Sequence, residues 1–303
     1  MEMIEKNNHL VKTNNLVKKY KEYHAVDEVS MTINKGDIYG FIGKNGAGKT
    51  TFIRLVTQLI DKSSGQLTFN STDKIKMSAV IEGPACYPYL SARDNLKYYA
   101  IQKNIKDKQR IDEVLEFVGL DKVDKKKLFK DYSLGMKQRL GIGLAILDKP
   151  QFLILDEPIN GLDPQGIVEI REIIHRLNKE QETTILISSH ILTELSLVAS
   201  RYGIINEGKL IKELTKEELE NECGQFMVLE SSDDSKAFEI LSKRTYKVKK
   251  ETTKLIVHEE KNKMGEIAKL LFEKGIYLKN YYYKEENLEE YYLNLVGGGK
   301  NHD

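Results

Sequence analysis

The chain has 303 residues, of which 40% are hydrophobic and 31% are charged, as in a soluble globular protein that buries a core. The formal net charge is +1, so no global field favours nucleic acid or a membrane surface as a partner. The polar N-terminus indicates no secretory signal, no run approaches the ~18 apolar residues of a membrane-spanning helix, and two distant cysteines, Cys86 and Cys223, favour a reduced cytosolic compartment.

Strand-like and helix-like runs alternate over residues 11–213, which predicts an α/β domain. The apolar run DIYGFIG at 37–43 predicts a strand that leads through a glycine loop into the helix KTTFIRLVTQLI. SARDNLKYYAIQ predicts another helix, because Ser91 and Asp94 have the spacing of a capping box. FLILDEP at 152–158 and TTILISSH at 183–190 lack polar alternation, which predicts buried parallel strands.

The pattern changes near residue 224. From there the sequence predicts strand FMVLE, helix 234–243, strands TYKVKK and KLIVHE, helix 263–274, strand IYLKNYYY and helix NLEEYYLNLV. This order is close to the split βαβ pattern of ferredoxin-like domains. We therefore expect a first domain at 10–223, a small α+β domain at 224–296 and a disordered tail at 297–303.

Two features of the C-terminal domain leave open what its surface does. The last helix carries Leu288, Tyr291, Tyr292 and Leu295 on one face, which either packs against its own sheet or receives a partner helix. The rings of Tyr281–Tyr283 alternate between the two faces of a strand, so they cannot form one patch.

A phosphate loop is predicted at 43–50, where GKNGAGKT fits the spacing G-x-x-x-x-G-K-[ST] between a strand and a helix. Its backbone N–H groups and the helix N-terminus suit phosphate, Lys49 would reach the β- and γ-phosphates, and the Thr50 hydroxyl would hold Mg²⁺. A flexible surface loop is the alternative. The expected nucleotide contacts in this segment are Gly43, Asn45, Gly46, Ala47, Gly48, Lys49, Thr50 and Thr51.

Two acidic residues follow the apolar run FLIL, at the carboxyl end of a predicted buried strand. Ligands of α/β sheets bind at such strand ends, so Asp156 is the candidate Mg²⁺ ligand. Glu157 is the candidate base for the attacking water. Without the phosphate loop, the two residues would more simply be solvated acids.

Further motifs occur in an order that resembles the nucleotide-binding subunit of an ATP-binding-cassette (ABC) transporter over about residues 10–215. They are LVKKYKEYHAVDEVSMTI (16–33), DYSLGMKQRLGIGLAIL (131–147), INGLDPQG (159–166) and ILISSHIL (185–192). The resemblance implies a phosphate-loop core sheet, an N-terminal antiparallel β part and a helical signature subdomain at about 84–149.

The resemblance also implies roles for three single residues. Tyr20 would stack on adenine, His190 would contact the γ-phosphate as the switch histidine, and Asp163 would make a contact across a dimer. The alternatives are an ordinary surface tyrosine, a packed or capping histidine, and a turn residue before Pro164.

The signature stretch departs from the family's usual Leu-Ser-Gly-Gly-Gln, since it reads Tyr132-Ser133-Leu134-Gly135-Met136. Ser133 keeps a hydroxyl and Gly135 keeps an open backbone N–H at the start of a helix, which is an anion site. In the family this site completes the nucleotide site of a second subunit, head to tail. With one phosphate loop and one signature per chain, a working unit would need two chains.

Residues 81–88 read IEGPACYP, with Glu82 at the end of an apolar run. The resemblance places Glu82 where most members have a glutamine that contacts Mg²⁺ or the attacking water and whose loop signals to the membrane partner. A carboxylate suits Mg²⁺ as a hard ligand, although a solvated strand-end acid is the alternative. Glu82, Gly83-Pro84, YSLGMKQRL and the extension ending NLEEYYLNL resemble the branch that exports bacitracin and lantibiotics or gives immunity to them.

The resemblance implies an ATP- and Mg²⁺-dependent ATPase that works as a head-to-tail dimer with an integral membrane permease. It would lie in the cytoplasm, on the inner face of the membrane, and would not bind nucleic acid. A soluble ABC ATPase of ribosomes or nucleic acid and a regulatory sensor subunit are the alternatives. The first is disfavoured by a single cassette, the absence of a coiled-coil insertion and the balanced charge.

Overall fold

The structure is a computed structural model that describes residues 8–70, 75–222, 225–244, 246–251, 254–259, 261–285 and 288–297. The chain divides into two compact units between Lys216 and Glu217, earlier than the boundary predicted at 223. A helix that the sequence analysis did not predict, Lys216–Glu222, begins at this division. Apart from Gly297, the predicted tail lies outside the described residues.

The first unit carries the strands and helices that position the site. Its strands are β1 (His9–Tyr20), β2 (Tyr23–Val29), β3 (Thr32–Asn34), β4 (Ile38–Ile42), β5 (Ser64–Phe69), β6 (Met77–Val80), β7 (Phe152–Asp156), β8 (Thr184–Ser189), β9 (Arg201–Asn206) and β10 (Lys209–Thr215). Its helices are α1 (Lys49–Val56), α2 (Ala92–Gln102), α3 (Gln109–Phe117), α4 (Leu134–Ile146), α5 (Pro164–Gln181) and α6 (Leu192–Ser196). The helix at the division is α7.

Two sheets build this unit. β2, β1 and β3 form an antiparallel sheet in that order, and β5 also pairs with β1. The larger sheet has the order β10-β9-β4-β8-β7-β6, and its pairs are parallel except for β10 with β9. β4, β7 and β8 are buried at every position, so the predicted buried parallel strands are confirmed. Their carboxyl ends therefore meet at one edge.

The helical part lies between β6 and β7 in the chain, where α2, α3 and α4 pack against one another. Ser91 caps α2, because its hydroxyl accepts the Asp94 N–H and donates to the Asp94 carboxylate. The predicted helix with Ser91 as its N-cap is thereby confirmed, although the Asp94 carboxylate bonds to the Ser91 hydroxyl rather than to its backbone N–H. Helix α1 ends at Val56, before the predicted 60, because Gln58 takes a left-handed φ of 57°. The Leu59 N–H then donates back to the Arg54 carbonyl, as in a Schellman ending.

The second unit contains β11 (Gln225–Ser231), α8 (Asp234–Lys243), β12 (Lys247–Lys250), β13 (Leu255–His258), α9 (Met264–Glu273), β14 (Leu278–Glu285) and α10 (Leu288–Gly297). Its antiparallel sheet has the order β12-β13-β11-β14. β13 thus lies between β11 and β12, the two strands that α8 connects, which is the predicted split βαβ arrangement. Within the described residues, no helix of either unit is long and apolar enough to cross a bilayer.

Candidate nucleotide site

The phosphate loop joins the end of β4 to α1, and two of its glycines have no room for a side chain. A Cβ on Gly43 would lie 2.7 Å from the Ile205 carbonyl oxygen. A Cβ on Gly48 would lie 2.4 Å from the Ala25 carbonyl oxygen, and its φ of 108° disfavours any other residue. Lys44, Asn45 and Gly46 are exposed, whereas Ala47 is buried in the core. The tip of the loop is therefore accessible to solvent, whereas its crowded positions at Gly43 and Gly48 require glycine.

Lys49 is the first residue of α1 and is only 5% exposed. Its Nζ atom donates to the carbonyl oxygens of Gly43 at 2.5 Å and Lys44 at 3.1 Å. The same atom forms an ion pair with Glu157 Oε1 at 3.1 Å. The loop thus holds a buried ammonium at its centre, where it can balance the charge of a phosphate.

Asp156 ends β7 and is 7% exposed. Its Oδ2 accepts a hydrogen bond from the Thr50 hydroxyl at 2.8 Å, and its Oδ1 accepts one from the Ser188 hydroxyl at 2.5 Å. Thr50 belongs to α1, whereas Ser188 belongs to the neighbouring strand β8. The carboxylate is therefore oriented from two sides beside the phosphate loop.

Glu157 follows Asp156 and adopts a left-handed φ of 50°, which turns its side chain away from the strand direction. Its backbone N–H donates to the Ser188 hydroxyl at 3.0 Å, and its Oε2 lies 2.8 Å from His190 Nδ1. Oε1 is buried and accepts no hydrogen bond in the described part of the chain, although Lys49 lies within ion-pair distance. Glu157 thus carries an oriented acceptor with unused capacity.

His190 follows β8, so its position beside Glu157 results from the parallel pairing of β7 and β8, in which Asp156 pairs with Ser188. A carboxylate only accepts hydrogen bonds, so the Nδ1 atom that faces Glu157 carries the proton. In the neutral ring Nε2 is then an acceptor, and it donates a second hydrogen bond only when both nitrogens carry a proton. One linked set of side chains results, and we call it the strand-end cluster: Lys49, Thr50, Asp156, Glu157, Ser188 and His190.

The signature residues lie apart from this cluster. Ser133 is the N-cap of α4 and accepts the Met136 N–H at 3.3 Å, while Leu134 is 46% exposed. A Cβ added to Gly135 would touch Gly166 and Leu162 at 3.9 Å, which is ordinary contact, so this position is not crowded. No hydrogen bond or ion pair among the residues described joins this helix start to the strand-end cluster.

Asp163 has a clear local function, because its Oδ1 accepts the Gly166 N–H at 3.0 Å and caps α5. The start of α5 lies beside the signature helix, since a Cβ added to Gly135 would lie 3.9 Å from Gly166 Cα and from a methyl group of Leu162. Asp163 and the signature thus belong to one surface of the first unit.

Glu82 lies just after β6 with a φ of 60°, and its side chain is 66% exposed. Its Oε1 accepts a hydrogen bond from Arg54 Nη2 at 2.7 Å. Arg54 lies one helical turn after Thr50 on α1. The ion pair therefore connects the Glu82 loop to the helix that carries the phosphate loop.

Tyr20 ends β1 and is 47% exposed, with Lys18 Nζ 5.0 Å from the centre of its ring. The ring is accessible for stacking on a planar group. Within the described part of the chain, no hydrogen bond, ion pair or ring contact links Tyr20 to the strand-end cluster.

Sequence reasoning missed two residues of this site. Ser188 bridges Asp156 and Glu157. The sequence feature that could have indicated it is a hydroxyl residue at the end of an otherwise apolar strand, two residues before His190. Arg54 pairs with Glu82, and the sequence feature that could have indicated it is a basic residue one helical turn after the phosphate loop.

Comparison with known proteins gives consistent results across the chain. Residues 26–160 match the model of the ABC transporter family. The bacitracin transport ATP-binding protein BcrA of Bacillus licheniformis is 41% identical, over 96% of this chain and 98% of its own length. The lantibiotic transport ATP-binding protein SrtF of Streptococcus pyogenes is 43% identical, over 70% of this chain and 93% of its own length.

Among solved structures, cbiO1 from Clostridium perfringens, described as part of an ABC transporter complex, superposes with a TM-score of 0.63. It is 26% identical and covers 70% of this chain and 90% of its own. The similarity therefore extends from the motifs to the fold.

Proposed function

Because this chain belongs to the ABC transporter family of ATP-binding proteins, we propose that it is the ATPase subunit of an exporter that removes peptide antibiotics from the cell. ATP is the nucleotide of the family, and its hydrolysis drives transport. The observation that carries the catalytic part is the position of Glu157, which lies between Lys49 and His190 at the carboxyl ends of parallel strands.

In this proposal Glu157 is the general base. A water bound beside its buried Oε1 gives a proton to that atom while the water oxygen bonds to the γ-phosphorus. The oxygen that bridged the β- and γ-phosphates leaves with ADP. Lys49 balances the charge of the phosphate oxygens, and His190 donates to one of them through Nε2 when both ring nitrogens carry a proton. Tyr20 stacks on adenine with its exposed ring.

The donor set beside the loop fits Mg²⁺. The Thr50 hydroxyl and the Asp156 carboxylate are hard oxygen ligands that already contact each other at 2.8 Å. Mg²⁺ binds through one or two protein oxygens together with water and substrate phosphates, and it would neutralise phosphate charge here. Glu82 is a further oxygen ligand that could reach this ion when Arg54 releases it.

The signature completes the site of a second copy. Ser133 and the backbone N–H of Gly135, at the start of α4, form an anion site that the chain's own phosphate loop does not use. Leu134 and Met136 frame that site, and Asp163 lies on the same surface. Two copies arranged head to tail place each signature over the partner's phosphate.

The surface for a membrane permease lies beside β6, the last strand of the large sheet. A groove of about 480 Å³ runs along it between the 83–85 segment, α2 and α4. Its lining is mainly apolar and includes Ile81, Pro84, Tyr99, Gly141 and Leu144. A short amphipathic helix of the permease fits such a groove, next to the Glu82 loop. Docking there places the chain on the cytoplasmic face of the membrane.

Peptide antibiotics are the proposed cargo because two relatives are named for bacitracin and lantibiotic transport. The test is survival of a sensitive bacterium that produces this chain together with its permease. The intact pair should raise the inhibitory concentration of the peptide severalfold, and Lys49→Ala should abolish the effect. Lys76→Ala, the same change at a lysine that is 61% exposed, should not. If cells that produce Lys49→Ala are still protected, ATP hydrolysis by this chain does not drive the resistance. If the unmodified chain hydrolyses ATP but gives no protection, peptide antibiotics are not its cargo.

A further inference from the structure

The two faces of the sheet in the second unit have different surroundings. One face carries Met227, Leu229, Leu255 and Val257, which form a buried core with residues of α8 and α9. The opposite face carries a small separate apolar group, Phe226, Val228 and Ile256. Tyr282 lies on this second face, whereas Tyr281 and Tyr283 pack against the first, so the predicted alternation of the three tyrosines is confirmed.

A pocket of about 560 Å³ lies on the second face. Phe226, Val228 and Ile256 line its floor and are at most 9% exposed. The strand register places Lys249, Ile256, Val228 and Tyr282 in one row across β12, β13, β11 and β14. With strands ~4.8 Å apart, this row is roughly 15 Å long. It has a cation at one end, an apolar middle and a phenol at the other end.

The rim of this pocket is basic. Lys249, Lys254, His258 and Lys284 line it, against one acid, Glu251. Lys254 pairs with Glu251 at 3.3 Å, and Lys284 pairs with Glu290 of α10 at 3.0 Å. Lys249 is exposed and makes no ion pair in the part of the chain that the structure describes. A ligand therefore meets an uncompensated ammonium beside an apolar floor.

We propose that this pocket binds a small organic anion with an apolar or aromatic body. Its volume lies within the range of ~300–1,000 Å³ that is usual for small-molecule sites. The floor buries the apolar body, and Lys249 pairs with the carboxylate, sulfonate or phosphate group. This site belongs to the second unit and shares no residue with the strand-end cluster, so it does not depend on the proposed ATPase mechanism.

Anilinonaphthalene sulfonate is a suitable probe, because it joins an aromatic body to one anionic group and fluoresces when it enters an apolar site. The full chain should bind one molecule saturably, and added salt should weaken binding because the ammonium is exposed. Phenylnaphthylamine, which lacks the sulfonate, should bind at least about tenfold more weakly. Saturating MgATP should not displace the probe, which separates this pocket from the nucleotide site.

The chain offers a matched pair of lysines to locate the probe. Lys249→Glu should weaken binding by about tenfold or more, because it reverses the charge at the rim. Lys250→Glu makes the same change on the same strand, but Lys250 Nζ donates to Ser235 of α8 on the other face, so binding should change less than about twofold. Tyr282→Ala, at the opposite end of the row, should also weaken binding.

Three results would overturn the proposal: no saturable binding, equal affinity for the neutral probe, or equal effects of the two lysine variants. Circular dichroism on each variant checks that it is folded. Since ATP hydrolysis is measured separately, failure here leaves the proposed function untouched.

Discussion

His190 Nδ1 lies 2.8 Å from Glu157 Oε2, across the carboxyl ends of two adjacent parallel strands. The same carboxylate reaches the buried Lys49 on its other side, at 3.1 Å. Glu157 thus connects the phosphate loop to the residue after β8. Any change in the phosphate region that moves Lys49 or His190 alters what Glu157 contacts, so the three side chains should act together in hydrolysis.

Ser188 should be essential for this geometry. Ser188→Ala removes a hydroxyl that donates to Asp156 and accepts from the Glu157 N–H, and the residue is fully buried. Leaving buried polar groups unpaired costs ~1–3 kcal/mol, and ATP turnover should fall at least tenfold because both acids lose orientation. Thermal unfolding and ATPase assays measure the two effects.

Ser189→Ala is the matched control for that variant. Ser189 is equally buried on the same strand, and its hydroxyl accepts the Ile191 N–H at 2.9 Å. It should lose similar stability while keeping most of its turnover. Equal losses of ATPase activity in the two variants would mean that Ser188 contributes only to the stability of the fold and does not orient the two acidic residues.

Glu82 should affect coupling more than ATP affinity. Glu82→Ala leaves Lys49, Thr50 and the loop N–H groups in place, so nucleotide binding should barely change. Turnover and its response to the permease should fall, and antibiotic resistance should fall further. Glu82→Gln should be milder, because it keeps an oxygen in place. Nucleotide titration, ATPase assays with and without the permease, and survival measure these effects.

Arg54→Met removes the ion pair with Glu82 but leaves the Glu82 carboxylate in place, so it separates the role of that carboxylate from the role of the ion pair. Both partners are partly exposed, so the pair contributes at most ~1 kcal/mol. Arg54→Met should therefore retain turnover within about twofold, unlike Glu82→Ala. Matching losses would indicate that Glu82 acts only through Arg54.

Complementation between chains tests the shared site. Ser133→Arg should damage the partner's site and leave the chain's own phosphate loop intact, whereas Lys49→Ala does the reverse. Each homogeneous variant should be inactive, and a mixture should regain roughly one competent site per mixed dimer, with turnover that rises with protein concentration. An inactive mixture that still forms dimers would argue against sites built from two chains.

Cys86 should react slowly with alkylating reagents. Burial raises the pKa of its thiol to about 12, so little thiolate exists at pH 8. In a Cys223→Ser chain, alkylation should be roughly 50-fold slower than for a free thiol, after allowing for the greater nucleophilicity of a high-pKa thiolate. The rate should keep rising about tenfold per pH unit to pH 10. A plateau near pH 8.5 would contradict the raised pKa of this half-buried thiol, and denaturant should restore normal reactivity.

Local sequence patterns predicted the helices and strands well, because the residues that determine where a helix or strand begins lie within a few positions of it. The Ser91–Asp94 cap and the helix at 234–243 are examples, each fixed by a capping side chain. Helix α1 is shorter than predicted because the apolar pattern continues past Gln58, and only the left-handed backbone at Gln58 ends the helix.

Motif spacing singled out Lys49, and the end of an apolar strand singled out Asp156. The structure brings both into the strand-end cluster, while their roles in hydrolysis stay predictions. Ser188 and Arg54 were missed because their functions depend on contacts with residues far away in the chain. A single serine or arginine gives no signal of its partner until the sheet brings β7 beside β8, or until the loop after β6 reaches α1.

The most direct test of the central claim is the ATPase rate of Glu157→Gln. The amide cannot take the proton of the attacking water, so turnover should fall ~10²–10⁴-fold while MgATP still binds, and the variant should accumulate as an ATP-bound dimer on gel filtration. Glu180→Gln, the same change at a surface residue whose side chain is 52% exposed, serves as the control and should keep its full rate. If Glu157→Gln turns over ATP within about twofold of the unmodified chain, Glu157 is not the base and the mechanism is wrong.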